Sequence, residues 1–167
     1  MVREENFLFL IGRLSAYTNL SAAFLSDLRA CLVEKTYRHN QFVLSAGHQQ
    51  NYLWFIVSGF AREVSFSELP PYEPTTWLWF SGELIFQYGF FGHHNSLVDI
   101  QVYRDSIILE ISDQQLHTLK KLHPEIGVLA EHFRFLDYKT RKQYTSDLMS
   151  LKRLDHIRKI FNSHKSI

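Results

Sequence analysis

Between residues 41 and 111 the chain breaks into short segments rich in β-branched and aromatic residues, each closed off by turn-forming positions. The segments are 41–44, 52–57, 61–66, 75–80 and 100–111, punctuated by Gly47, Gly59, the Pro70-Pro71 pair and Gly82. Their composition and spacing predict antiparallel strands folded as a jelly roll or barrel. On both sides the hydrophobic period changes. Ser21 stands as an N-cap before Phe24, Leu25, Leu28 and Leu32, which form one face of a helix. Ser112-Asp113-Gln114-Gln115 opens another, with Leu116, Leu119 and Leu122 on one side, until His123-Pro124 interrupts it. Pro124 suits the first turn of the next helix. That helix carries Ile126, Leu129, Phe133 and Leu136, then runs on toward Tyr144, Leu148 and Leu151. Such a seam suits either a partner helix in a dimer or the chain's own β-layer.

With 167 residues, 46% of them hydrophobic, the chain can bury one good core, so one main domain is expected. The single cysteine, Cys31, excludes an intramolecular disulfide framework and a cysteine-held iron–sulfur cluster within one chain. The longest apolar run near the start, residues 7–11, is too short for a membrane span or a secretory signal, which makes a cytoplasmic, bacterial-type protein the default expectation. Net charge is only +1, but its distribution is uneven. Residues 138–167 hold eight lysines and arginines against Asp147 and Asp155, leaving the remainder of the chain acidic. A basic end of this kind faces nucleic acid or is a set of solvated helix faces, and charge alone does not choose between them.

Candidate chemistry centres on Gly82-Glu83-Leu84. A Gly-Glu turn in a β-roll can offer backbone N–H groups to a phosphate and a carboxylate to a ribose hydroxyl, although a phosphate normally also needs a fixed cation. No arginine follows until Arg104. The stretch between carries Phe86, Tyr88, Phe90, Phe91, His93 and His94, which fill the pocket themselves, grip a different planar ligand, ligate haem or metal, or divide into core aromatics and loop histidines. Adjacent histidines on a strand point to opposite faces and are poor co-ligands. The other seven histidines show no metal-binding spacing, so neither metal nor cofactor is expected. A cupin-like metalloenzyme would need a His-x-His that His93-His94 does not provide, and no nucleophile elbow or phosphate loop occurs. Catalysis is not expected.

The ordered set of helix, β-roll with Gly47 and Gly59 at turns, Gly-Glu-Leu turn, and long helix after His-Pro resembles the sensor part of the Crp/Fnr superfamily of bacterial transcription regulators. The resemblance covers about residues 20–160. It is strongest at Gln41-Phe-Val-Leu-Ser-Ala-Gly47, Tyr52-Leu-Trp-Phe-Ile-Val-Ser-Gly59 and Ser106-Ile-Ile-Leu-Glu-Ile-Ser112, while Asp155-His-Ile-Arg-Lys-Ile-Phe161 looks like the first helix of that family's DNA-binding domain. It implies an α+β fold: a double-stranded β-helix jelly roll of the cyclic-nucleotide-binding kind, flanked by helices, with a long C-terminal dimerisation helix. The implied divisions are residues 1–122 for the roll and N-terminal helices, 123–151 for the dimerisation helix, and 152–167 for the start of an incomplete helix-turn-helix.

For the site, the resemblance implies that Gly82, Glu83 and Leu84 form the ribose and phosphate turn. The family's arginine and following hydroxyl residue fall on Ser96 and Leu97 in one register, or on Asn95 and Ser96 in the other. Neither supplies a guanidinium. Losing such a partner for a buried phosphate costs about 2–5 kcal/mol, on the order of a hundredfold or more in affinity. The chain is therefore expected to be an effector-sensing and dimerising domain that does not bind cyclic AMP in the standard way. Expected partners are a second copy, through Ile126, Leu129, Phe133 and Leu136, and a small-molecule effector. DNA is expected only if a complete helix-turn-helix follows, since the six residues after Phe161 cannot hold one. A ligand-free interaction module with a plugged pocket, and a cupin-like enzyme, stand as alternatives.

Overall fold

Two serine caps set the helices that frame the strands. The Ser21 side chain accepts the Phe24 N–H at 3.2 Å, and the Ser112 side chain accepts the Gln115 N–H at 3.3 Å within a reciprocal capping box. The computed structural model describes residues 2–65, 74–87, 89–150 and 155. Its elements are α1 (Glu4–Ser15), α2 (Ala22–Cys31), β1 (Val33–Tyr37), β2 (Gln41–Leu44), β3 (Tyr52–Ser58), β4 (Phe60–Ser65), β5 (Thr75–Phe80), β6 (Leu84–Ile85), β7 (Val98–Val102), β8 (Ser106–Ser112), α3 (Asp113–Leu122) and α4 (Glu125–Ser150). The strands form two four-stranded antiparallel sheets, ordered β1-β8-β3-β6 and β2-β7-β4-β5. This is the expected jelly roll.

Alternation along the strands places the core between the sheets. Trp54, Ile56 and Ile108 from the first sheet meet Leu44, Ala61, Trp79, Ile100 and Val102 from the second in one buried cluster. The other face of the first sheet is covered as well: Phe55 and Leu109 are buried, and Phe9 of α1 lies 5.5 Å from the Phe55 ring. Gly59 turns β3 into β4 at φ 90°, and a Cβ there would come within 2.8 Å of the Ser106 Cα. That hairpin therefore requires glycine.

Three features escaped the sequence pattern. The stretch 100–111 is two strands, β7 and β8, joined through Asp105 in the left-handed region (φ 63°). Aspartate tolerates that conformation, so neither Gly nor Pro marks the turn. β1 shows no clean alternation because Tyr37 is its only buried residue. α1 is tied down over a distance the local pattern cannot reveal. Glu34 on β1 accepts the Arg3 N–H at 3.0 Å, the Arg3 Nε at 2.7 Å and the Asn6 side-chain amide at 2.9 Å.

Residues 1–125 and 126–167 form two separate compact units. In the second, α4 buries Ile126 and Leu129 and half-buries Phe133 and Leu136, whereas Val128, Phe135 and Tyr138 are more than half exposed. At 100° per residue the exposed three lie on the side of α4 opposite the buried seam. The expected beginning of a helix-turn-helix at 152–167 falls outside the described residues, apart from Asp155.

Candidate functional site

The Gly82-Glu83 turn joins β5 to β6 and is held by the protein's own groups. Gly82 has φ 85° and donates its N–H to the Ile56 carbonyl at 2.8 Å; the Glu83 N–H donates to the Phe80 carbonyl at 3.1 Å. The Glu83 carbonyl accepts the Ile56 N–H at 3.0 Å, and one Glu83 carboxylate oxygen accepts the Phe80 N–H at 2.6 Å. Arg13 of α1 donates from Nε to the Gly82 carbonyl at 3.2 Å, and a Cβ on Gly82 would meet that Nε at 3.3 Å and Phe9 Cζ at 3.4 Å. Helix α1 thus covers the turn. Both amides that could face a phosphate are engaged with internal carbonyls. Leu84, half-buried, pairs with Phe55.

Asn95, Ser96 and Leu97 hang on a different part of the roll. Asn95 bridges to Gln49, the Ser96 N–H donates to the His48 carbonyl at 2.8 Å, and the Ser96 carbonyl accepts the Gly47 N–H at 2.8 Å. Ser96 is buried, its hydroxyl donating to the Val98 carbonyl at 2.7 Å and accepting the Val98 N–H at 3.2 Å. Leu97 is 88% exposed. Of the two registers, the one with Asn95 at the cation's place puts a buried hydroxyl just before β7; the other puts an exposed leucine there.

Between these two halves Phe86 and Phe90 are buried, and Phe91 packs edge-on to both, at 5.5 and 5.0 Å between ring centres. Tyr88 lies outside the described residues. A single helical turn, Phe90–Gly92, ends at His93 in the left-handed region, and His94 lies against Gly89 and Gly92. Both histidines are exposed, with His93 Nδ1 3.5 Å from an Asp113 carboxylate oxygen. Among the described residues, no group of three His, Cys, Asp or Glu side chains could hold a metal ion, and no helix is long and apolar enough to cross a membrane.

A buried polar cluster went unrecognised in the sequence. Glu63, two residues after the core residue Ala61 on β4, is 5% exposed, and Gln50 and Gln87 are buried beside it. Glu63 accepts the Thr76 hydroxyl at 2.7 Å on one oxygen and the Gln87 side-chain amide at 3.2 Å on the other. The Gln87 N–H donates to Gln50 Oε1 at 2.8 Å, and the Gln50 amide donates to the carbonyls of Tyr52 at 2.7 Å and Ile85 at 3.1 Å. The available signal was an acidic residue at an inward position of the β4 alternation, Phe60-Ala-Arg-Glu-Val-Ser65. A second buried carboxylate, Glu110 on β8, pairs with Lys35 Nζ at 2.7 Å. Burial, and then the charge of Glu110, push the Tyr37 hydroxyl up to about 12.

No protein-family profile and no curated protein sequence matches the chain. Solved structures do. A cyclic nucleotide-binding domain from Methylobacillus flagellatus matches at TM-score 0.69 and 15% identity, over 90% of this chain and 87% of the other. The regulatory subunit of a cAMP-independent protein kinase A from Trypanosoma brucei, as a triple mutant bound to cAMP, matches at TM-score 0.65 and 14% identity, over 87% of this chain and 50% of that one. The catabolite activator protein of Thermus thermophilus matches at TM-score 0.63 and 17% identity, over 83% of this chain and 63% of that one. The chain spans half to two thirds of the length of the latter two proteins. Their agreement with the two-sheet roll and its flanking helices gives this chain the fold of the cyclic nucleotide-binding domains.

Proposed function

We infer that the chain is the effector-sensing and dimerising part of a Crp/Fnr-like transcription regulator whose pocket does not take cyclic AMP in the standard way. One observation carries this reading: on a cyclic-nucleotide-binding fold, the Gly82 and Glu83 amides and one Glu83 carboxylate oxygen are engaged internally, and no lysine or arginine occurs between Arg62 and Arg104. A cyclic phosphate placed at this turn would displace existing hydrogen bonds and find no guanidinium from that stretch. The Trypanosoma brucei neighbour, the regulatory subunit of a cAMP-independent protein kinase A, holds cAMP in its A site as a mutant that combines a threonine-to-arginine change with two changes to alanine. The catabolite activator protein supports the regulator class.

Dimerisation rests on α4. A helix with apolar residues on opposite sides needs two partners, and Val128, Phe135 and Tyr138 stay exposed while Ile126 and Leu129 are buried. The second copy covers the exposed three, with Phe133 and Leu136 at the margin. Residues 152–167 begin the DNA-binding part, so DNA is a partner of a protein carrying the complete helix-turn-helix. Such a regulator works in the bacterial cytoplasm and has no catalytic role. A second reading, an interaction module with a self-filled pocket, is favoured by the buried Phe86, Gln87 and Phe90. The test is a calorimetric titration with cyclic AMP, with cyclic GMP as control. No saturable heat up to millimolar nucleotide is expected; saturation at micromolar concentration would overturn the non-standard pocket.

A further inference from the structure

Helix α2, with its cap Ser21, grips the 123–125 stretch where α3 gives way to α4. Ser21, Phe24 and Asp27 recur every three residues, and each meets that stretch. The Ser21 N–H donates to Glu125 Oε1 at 3.2 Å, the buried Phe24 ring stands edge-on to the His123 imidazole at 5.6 Å between centres, and Asp27 Oδ2 lies 2.8 Å from His123 Nε2. His123 ends α3: its backbone is extended (φ −130°, ψ 110°) ahead of Pro124, and its N–H closes the last turn on the Leu119 carbonyl at 2.8 Å. The imidazole is 10% exposed and the Asp27 side chain 50%. Among the described residues Asp27 has no other hydrogen-bond or ion-pair partner. A second carboxylate is coupled to the same ring. The Ser21 side chain first, and the charge of His123 last, hold the Glu125 carboxyl below its ordinary 4.5. The other titratable groups nearby are occupied or turned to solvent. On α2, Arg29 pairs with Glu4, and the Cys31 thiol, one turn beyond Asp27, is pushed up by burial and then by the Asp27 charge. On α3, His117, Lys120 and Lys121 are exposed, and on β8, against which α3 packs, Glu110 pairs with Lys35.

We propose that α2 and residues 123–125 form a proton-operated latch, closed more firmly when His123 carries a charge. With a neutral ring, the contact is one hydrogen bond from Nε2–H to the Asp27 carboxylate. With a protonated ring it becomes an ion pair in a largely buried setting, and Glu125 gains an opposite charge beside it. Histidine is the side chain that ordinarily changes charge between pH 5 and 8. The closed latch favours the proton, so its hold strengthens as pH falls through the imidazole titration and loosens as pH rises through it. Glu125 is the first residue of α4, so the latch sets how firmly the start of that helix is held to the roll. The inference is independent of the sensor reading, because it uses only the geometry of residues 21–27 and 123–125.

Hydrogen exchange followed by NMR in the full chain reads the latch through its own amides, those of Ser21 and His123. The Gly82 amide, bonded to the Ile56 carbonyl at 2.8 Å, serves as the reference. After correction for intrinsic exchange rates, Ser21 and His123 should be protected at least about threefold more at about pH 5.5 than at about pH 8.5, with Gly82 unchanged. Asp27→Asn, at a half-exposed position, keeps an acceptor without the charge and should abolish the difference. His123→Gln keeps a neutral donor and should give the same protection at both pH values. Equal protection of the wild type at the two pH values, an equal change at Gly82, or a difference that survives either variant overturns the proposal. If one variant does not fold, the other decides by the same criterion.

Discussion

Glu34 joins α1 to the roll, and its charge makes that joint sensitive to acid. Burial raises its pKa, but the Arg3 N–H, the Asn6 amide and the Arg3 guanidinium outweigh burial and hold the carboxyl below its ordinary 4.5. A depressed carboxylate pKa contributes stability above the unfolded value, and that contribution is lost as pH falls through the folded value. Denaturant unfolding at stepped pH should therefore show wild-type stability falling below about pH 4.5, while Glu34→Gln is less stable at neutral pH and loses less on acidification. An equal acid slope in both proteins would remove Glu34 from the account. Single residues were legible in the sequence where their partners are near: Ser21 and Ser112 cap helices by binding an N–H three residues on. Glu34 and Glu63 were not, because their partners come from 13 to 31 residues away.

Elements with a clean period were readable, and those whose faces are mixed were not. β2 and β5 fall where β-branched and aromatic runs are bounded by turn residues, whereas β1, polar and mostly exposed, gives no alternation to read. The Gly82 turn was legible as a turn from its glycine, but its coverage by Phe9 and Arg13 of α1 depends on packing across the fold. For α4 the periodicity identified one apolar side, 126–129–133–136, and missed the other because Val128, Phe135 and Tyr138 are interleaved with charged residues. The proposed dimer makes the two sides unequal under mutation. Phe135→Glu should leave the folded β-roll signal in circular dichroism unchanged and shift sedimentation from dimer to monomer. A dimer that persists at the same concentration would take this face of α4 out of the interface.

For the whole molecule, fold and ligand part company. Ordered strands, turns and helices are enough to produce the cyclic-nucleotide-binding architecture at about 15% identity to its neighbours, because a β-roll needs alternation, turn glycines and covering helices rather than particular side chains. The ligand depends on a few groups: on the register we propose, with Ser96 as the hydroxyl residue, the uncharged Asn95 takes the guanidinium's place, and Glu63 adds a buried carboxylate. If these two positions are what exclude the standard ligand, changing both should admit it. The decisive measurement is a calorimetric titration of cyclic AMP into Asn95→Arg/Glu63→Gln beside the wild type. The double variant should bind saturably, at least about a hundredfold tighter than a wild type that stays silent to millimolar nucleotide. Micromolar binding by the wild type, or silence from a correctly folded double variant, would contradict the account.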